Sequence, residues 1–122
     1  MPGADSRLMI QKDADKAVTI IEFMDRNILD EANIQQIGDE IGAMIDESPF
    51  PKLLISFENV DHLSSAALGA LITINNKVRQ KDGQLRLANI NPQIYEVFVI
   101  TKLNKLFQIH KTTEEALKKF KK

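Results

Sequence analysis

Two adjacent serines, Ser64 and Ser65, follow Asp61 and His62 in the run Asp61-His62-Leu63-Ser64-Ser65-Ala66-Ala67-Leu68-Gly69. A serine hydroxyl can serve as a nucleophile, a helix cap or a phosphate acceptor. Nucleophilic catalysis needs a histidine oriented by a third group, and an oxyanion hole. His62 stands only two residues before Ser64, and no Gly-x-Ser-x-Gly elbow surrounds either serine. The other histidine, His110, is remote in sequence, and the pair lacks metal-ligand spacing. No Gly-rich phosphate loop is present. Acidic neighbours such as Asp39-Glu40 and Glu114-Glu115 do not converge on one point of a helix surface. Neither an enzyme nor a cofactor is expected. Capping and phosphorylation remain, because both use the unpaired N–H groups at a helix start. Asp30 follows a strand and opens a helix, which would set it at the same end of a sheet as the serines. Its plain role is an N-cap.

The elements that must position these residues follow from periodicity. Arg7 to Lys12 reads as a first strand, and the β-branched and aromatic run Ala17 to Phe23 as a second, joined through a turn at Asp13-Ala14-Asp15. A polar loop covers Met24 to Leu29. Ile34, Ile37, Ile41, Met44 and Ile45 recur at helical spacing, and Pro49 and Pro51 end that helix near Ser48. Lys52 to Phe57 is almost continuously apolar, as in a strand covered on both faces. After Ser64 a helix runs to Lys81 with Ala67, Leu71, Ile74 and Val78 on its buried face, and Gly83 suits its C-terminus. Leu85 to Ala88 is a further strand. Asn91-Pro92 starts a helix whose apolar side is Ile94, Val97 and Phe98. Leu106 to Ile109 is a short strand that His110 ends. Thr112 caps a last helix carrying Ala116, Leu117 and Phe120, with a capping box to Glu115. The order is β-β-α-β-α-β-α-β-α. It predicts an α/β fold in a single domain over residues 1–122, with a mixed sheet of about five strands and about four helices packed on it.

Bulk properties bound the function. The 16 basic residues are balanced by 17 acidic ones, which argues against direct nucleic-acid binding through phosphate neutralisation. The chain has no cysteine, as suits a reducing compartment. The N-terminal residues lack the pattern of a signal peptide, and no apolar run approaches the ~20 residues of a membrane span. A cytoplasmic location without membrane insertion is expected. The lysines at 118, 119, 121 and 122 read as a solvated helix end.

The block from Leu54 to Ile72 resembles the signature of the STAS domain family, which includes bacterial anti-sigma factor antagonists. The family pattern is a buried strand, a short loop, then Asp-Ser-Ser-Gly-Leu-Gly opening a helix. Aligned on Leu68-Gly69, Ser65 falls on the family's phosphorylated serine, and Ser64 stands where an Asp is usual. Ala66 takes the place of the second serine and Ala67 that of the first glycine. A one-residue slip makes Ser64 the acceptor, as second choice. Leu29-Asp30 and the segment from Ile100 to Ile109 also resemble the family, so the likeness covers nearly the whole chain.

The resemblance implies a protein that binds an anti-sigma factor, usually a serine protein kinase. Phosphorylation of Ser65 switches it off, and a PP2C-type phosphatase resets it. Asp30, Ser64, Ser65, Leu68, Gly69, Ile72 and Asn76 are the implied partner-binding residues. Helical geometry sets Ser65, Leu68, Ile72, Asn76 and Arg79 on one flank; the alternative is that Leu68 and Ile72 pack under a neighbouring helix. Homodimerisation is compatible with the chain. The competing function is a STAS module that binds or scaffolds in a transport or stress-sensing complex without phosphorylation.

Overall fold

The structure is a computed structural model that describes residues 8–13, 18–24, 27–28 and 31–120. Strands β1 (Leu8–Asp13) and β2 (Val18–Phe23) pair antiparallel, from Leu8 opposite Phe23 to Asp13 opposite Val18. A two-residue strand β3 (Asn27–Ile28) precedes helix α1 (Glu31–Glu47). Then come β4 (Lys52–Ser56), the two-residue β5 (His62–Leu63), α2 (Ser65–Gln80) and β6 (Gln84–Ala88). Helix α3 (Pro92–Ile100), a 3₁₀ turn at Leu103–Lys105, β7 (Gln108–His110) and α4 (Thr113–Lys119) complete the order.

The main sheet has the order β1-β2-β4-β6-β7, with β4 at its centre and every pairing after the first parallel. Ile21, Ile55 and Leu87 are register partners buried in one apolar cluster with Ile37, Ile41, Leu71, Ile74 and Phe98 from the helices. Leu54 belongs instead to a second cluster with Val18, Ala88, Ala116 and Phe120. Helices α1, α2 and α3 therefore cover one face of the sheet and α4 the other. That is why the β4 sequence shows no alternation: both of its faces are dry.

Helix α1 buries Ile34, Ile37, Ile41 and Ile45 of the predicted stripe, and Met44 is half-buried against them. It has no basic residue in its own last turn. Lys81, at the end of α2, donates from Nζ to the carbonyls of Ile45 and Asp46, both at 2.9 Å, and so caps α1 from its neighbour. Phe98 and Phe107 meet edge-on with ring centroids 5.9 Å apart and hold α3 against the segment leading into β7.

Several local expectations change. The loop expected over Met24 to Leu29 contains β3, which pairs with β5 in a separate two-stranded sheet. The last strand covers Gln108–His110 rather than Leu106 to Ile109, because the 3₁₀ turn carries the chain through Leu106. Val97 is 39 % exposed, although it shares the apolar side expected for α3; only Ile94 and Phe98 of this helix are buried, and Val97 stands at the edge of that side, lining a surface depression. Gly83 is not the left-handed residue after α2. Asp82 takes that role at φ 55°, and its N–H and that of Gly83 donate to Arg79 and Val78. Gly83 is needed because a Cβ there would collide with the carbonyl oxygen of Pro51. The Thr112 hydroxyl accepts from the Glu115 N–H, but Glu115 accepts from Lys111 rather than from Thr112, so the box is displaced by one residue. Arg7, the turn residues 14 and 15, Leu29, Asp30 and the lysines at 121 and 122 lie outside the described residues.

Candidate functional site: the loop and helix start after the central strand

The site is built where the central strand ends. Ser56, the last residue of β4, is 2 % exposed, and its hydroxyl accepts from the Asn89 side chain at 2.8 Å. Asn89 sits at φ 61°, and its amide also donates to Thr113 at 2.8 Å. One left-handed residue thus ties the exits of β4 and β6 to the start of α4. Asn91 performs a similar task two residues further on in the same loop. Its Nδ2 donates to the Val60 carbonyl at 3.0 Å while its Oδ1 accepts from the Ile94 N–H at 2.8 Å and caps α3. The loop from Phe57 to Asp61 is therefore fastened to the start of α3 before it reaches the serines.

The β3–β5 pairing adds a second fastening. Asn27 lies opposite His62 and Ile28 opposite Leu63, immediately before Ser64. This brings the segment leading into α1 beside the start of α2. Asp30 itself is not among the described residues, but β3 and α1 on either side of it are.

The two serines are then distinguished by geometry. Ser64 is the N-cap, extended at φ −84° and ψ 167°, and its Oγ accepts from the Ala67 N–H at 3.2 Å. It is half-buried. Ser65 is the first helical residue, and it is exposed. No acidic residue stands in the first turn of α2. A phosphoryl group on Ser65 would meet the positive end of the helix without a carboxylate beside it in that turn. His62 is exposed, and among the described residues it forms no hydrogen bond with either serine.

Of the other expected contacts, Gly69 and Asn76 are exposed and Ile72 is half-buried. A Cβ at Gly69 would meet open space, so this glycine leaves a shallow place on an exposed helix face. Leu68 is only 7 % exposed and belongs to the core. It reaches the surface as a lining residue of a depression of about 290 Å³, together with His62, Leu63, Gln93, Ile94 and Val97. The depression joins the serine loop to α3, whose Tyr95, Val97, Val99 and Ile100 are all exposed. This exposed apolar face was missed because only one apolar side, Ile94, Val97 and Phe98, was assigned to the helix, and Val99 and Ile100 were given no place. The signal was there: Val97-Phe98-Val99-Ile100 is a run that no helix can bury on one side.

His110 and Arg86 meet on the opposite face of the sheet. Arg86 Nη1 lies 3.0 Å from His110 Nε2, and the guanidinium stands 5.4 Å from the Phe120 ring centroid. Burial lowers the His110 pKa below its ordinary value; Arg86 and Lys119 lower it further, against Glu115. This cluster docks α4 and is separate from the serines. Among the described residues, no group of three acidic, histidine or cysteine side chains could hold a metal ion. No helix of the described residues is long and apolar enough to cross a membrane.

Comparison with known proteins agrees with this architecture. A putative anti-sigma factor antagonist, BtrV of Bordetella bronchiseptica, is 27 % identical over 96 residues, covering 79 % of this chain and 82 % of that protein. The anti-sigma-factor antagonist (STAS) domain protein of Planctomyces limnophilus superposes with a TM-score of 0.80 at 23 % identity, over 92 % of this chain and 96 % of that one. The Bacillus cell fate determinant SpoIIAA in its phosphorylated form gives a TM-score of 0.70 at 18 % identity, over 93 % and 99 % of the two chains. The STAS domain family itself matches residues 10–116. With the five-stranded mixed sheet, the four helices and a family match over most of its length, this chain belongs to the STAS domain family.

Proposed function

We propose that this protein is an anti-sigma factor antagonist whose binding to an anti-sigma factor, itself a serine protein kinase, is switched off by phosphorylation of Ser65. The observation that carries the choice of residue is the division of labour between the serines. The Ser64 hydroxyl is engaged with the Ala67 N–H, whereas Ser65 is exposed on the first turn of the helix. Ser65 is thus the acceptor and Ser64 its cap. The relatives add support, since one carries the name anti-sigma factor antagonist and one is a phosphorylated form.

The partner surface in this reading is the α2 flank of Ser65, Gly69, Ile72 and Asn76, continued by the depression lined by Leu68 and by the apolar face of α3. Asp30, the residue before α1 in the sequence, is a further contact in this reading. Phosphorylation adds about −1.5 to −2 charges at pH 7. The helix N-terminus accommodates that charge, so the fold survives. A desolvated interface does not accommodate it, and a loss of ~3 kcal/mol weakens binding by more than a hundredfold. The switch needs no refolding, works in the cytoplasm and is reset by a PP2C-type phosphatase.

The test is incubation with the cognate kinase and ATP, followed by mapping of the phosphate by mass spectrometry. Phosphate on Ser65 is expected. Its absence from both Ser65 and Ser64 would sink the switch. Ser65→Asp is expected to remain folded by circular dichroism and to lose the partner in calorimetry; equal affinity of the two proteins would count against the charge argument.

A further inference from the structure

Helix α2 buries one polar side chain. Asn75 is 6 % exposed, next to Ile74 on the face that also carries Leu71 and Val78. Among the described residues its Nδ2 has no hydrogen-bond partner. A buried donor without a partner costs about 1–3 kcal/mol, and leucine would fill a similar space without that cost. An asparagine here is therefore a poor choice for packing alone.

Asn75 lines a cavity of about 400 Å³ at the end of α2 remote from the serines. Arg79, one turn further along the helix, Lys105 from the 3₁₀ turn, and Arg86 and Gln108 from the paired strands line it too. Among the described residues, none that lines it is acidic. In a chain whose formal net charge is −1, two cations, Arg79 and Lys105, beside one cavity are a local concentration of positive charge. The Arg86 guanidinium is engaged with His110 and Phe120 on the α4 face, so Arg86 is not one of the cavity's donors. Asn75, Arg79 and Lys105 supply donors suited to an anion with several acceptor oxygens.

The geometry points to a binding site for the phosphate group of a small molecule, held by the Asn75 amide, Arg79 and Lys105. The volume lies at the low end of small-molecule pockets, with room for a phosphomonoester. The site is distinct from the serine junction. Asn75 follows Ser65 by ten residues on one helix, about 15 Å at 1.5 Å per residue. Occupancy should not depend on the state of Ser65.

The experiment is an NMR titration of the whole chain at constant ionic strength, with inorganic phosphate and glycerol 3-phosphate as probes. Saturable shifts of the Asn75 side-chain amide and of the Arg79 and Lys105 backbone amides are expected. Tighter binding of glycerol 3-phosphate would identify the ligand as a phosphomonoester, and equal binding would identify free phosphate. Arg79→Ala and Lys105→Ala, both at exposed positions, should each weaken binding by about tenfold or more. Asn75→Leu should abolish the shifts at Arg79 and Lys105 while unfolding at the same or a higher denaturant concentration. Ser65→Asp should bind the probes as the wild type does, which separates this site from the proposed switch. Linear, non-saturating shifts, or undiminished binding by Arg79→Ala, Lys105→Ala and Asn75→Leu, would overturn the assignment.

Discussion

At the scale of single residues, Ser64 and Ser65 differ by one position and by role. Ser64 spends its hydroxyl on the helix, and Ser65 presents its own to solvent. Ser64→Ala is therefore expected to lower stability by about 1 kcal/mol through loss of the cap. Ser65→Ala is expected to stay within about 0.5 kcal/mol of wild type, as an exposed substitution away from any cap does. Urea unfolding of both variants measures the difference, and a larger loss from Ser65→Ala would reverse the assignment of cap and acceptor. A cap at this junction is legible in the sequence because Ser before an apolar-periodic run is a local signal. The sequence left open which serine accepts from Ala67, since that depends on where the chain enters the helix. The pairing of His62 and Leu63 with β3 helps to set that entry.

At the scale of elements, the ends of α2 and the surface of α3 carry the lessons. The motif after α2 uses Asp82 for the left-handed turn and reserves Gly83 for the close approach to Pro51, whose carbonyl also accepts from the Gln84 N–H at 2.8 Å. Gly83→Ala should therefore destabilise the fold by about 1–3 kcal/mol, because backbone must shift to admit the methyl group. A denaturant midpoint unchanged by the substitution would show that the Pro51 segment yields freely. A helix-closing glycine was legible from its position. Its reason was not, because Pro51 is far away in sequence. The strands β3 and β5 could not be read at all: two residues contain no periodicity. Val97 was read onto the apolar side with Ile94 and Phe98, and the structure leaves it 39 % exposed, because spacing gives a side of the helix but not how far the core reaches around it.

At the scale of the whole molecule, the sheet separates two working faces. One carries α1 to α3 with the serine junction and the apolar surface of α3. The other carries α4, docked through Ala116, Phe120 and the Arg86–His110 contact. Because Arg86 can only donate, His110 Nε2 accepts, which requires a neutral imidazole. A folded-state pKa below the ordinary histidine value of about 6.5 means that the folded protein binds fewer protons than the unfolded chain just below that pH. The stabilising contribution is thus fully present above about pH 6.5 and is lost as pH falls towards the lowered folded-state value. Melting curves across this window should show a decline in wild type that His110→Gln lacks. Superimposable pH profiles for the two proteins would remove His110 from the account. Groups that face His110 are Arg86 from β6 and Glu115 and Lys119 from α4.

The sequence by itself determined the order of the five main-sheet strands and the four helices, the double coverage of β4 and the amphipathic stripe of α1. All of these are recorded in spacings of two to four residues, or in one continuous apolar run, and so need no knowledge of partners. Tertiary structure alone decided the contacts that join distant segments. Strand β3 pairs with β5, Asn91 fastens Val60, Lys81 caps α1, and Asn75 and Lys105 line one cavity. Such contacts arise because burying the two faces of the sheet brings these segments together, and polar groups caught in that burial must then find partners or line a cavity. No window of neighbouring residues contains that constraint.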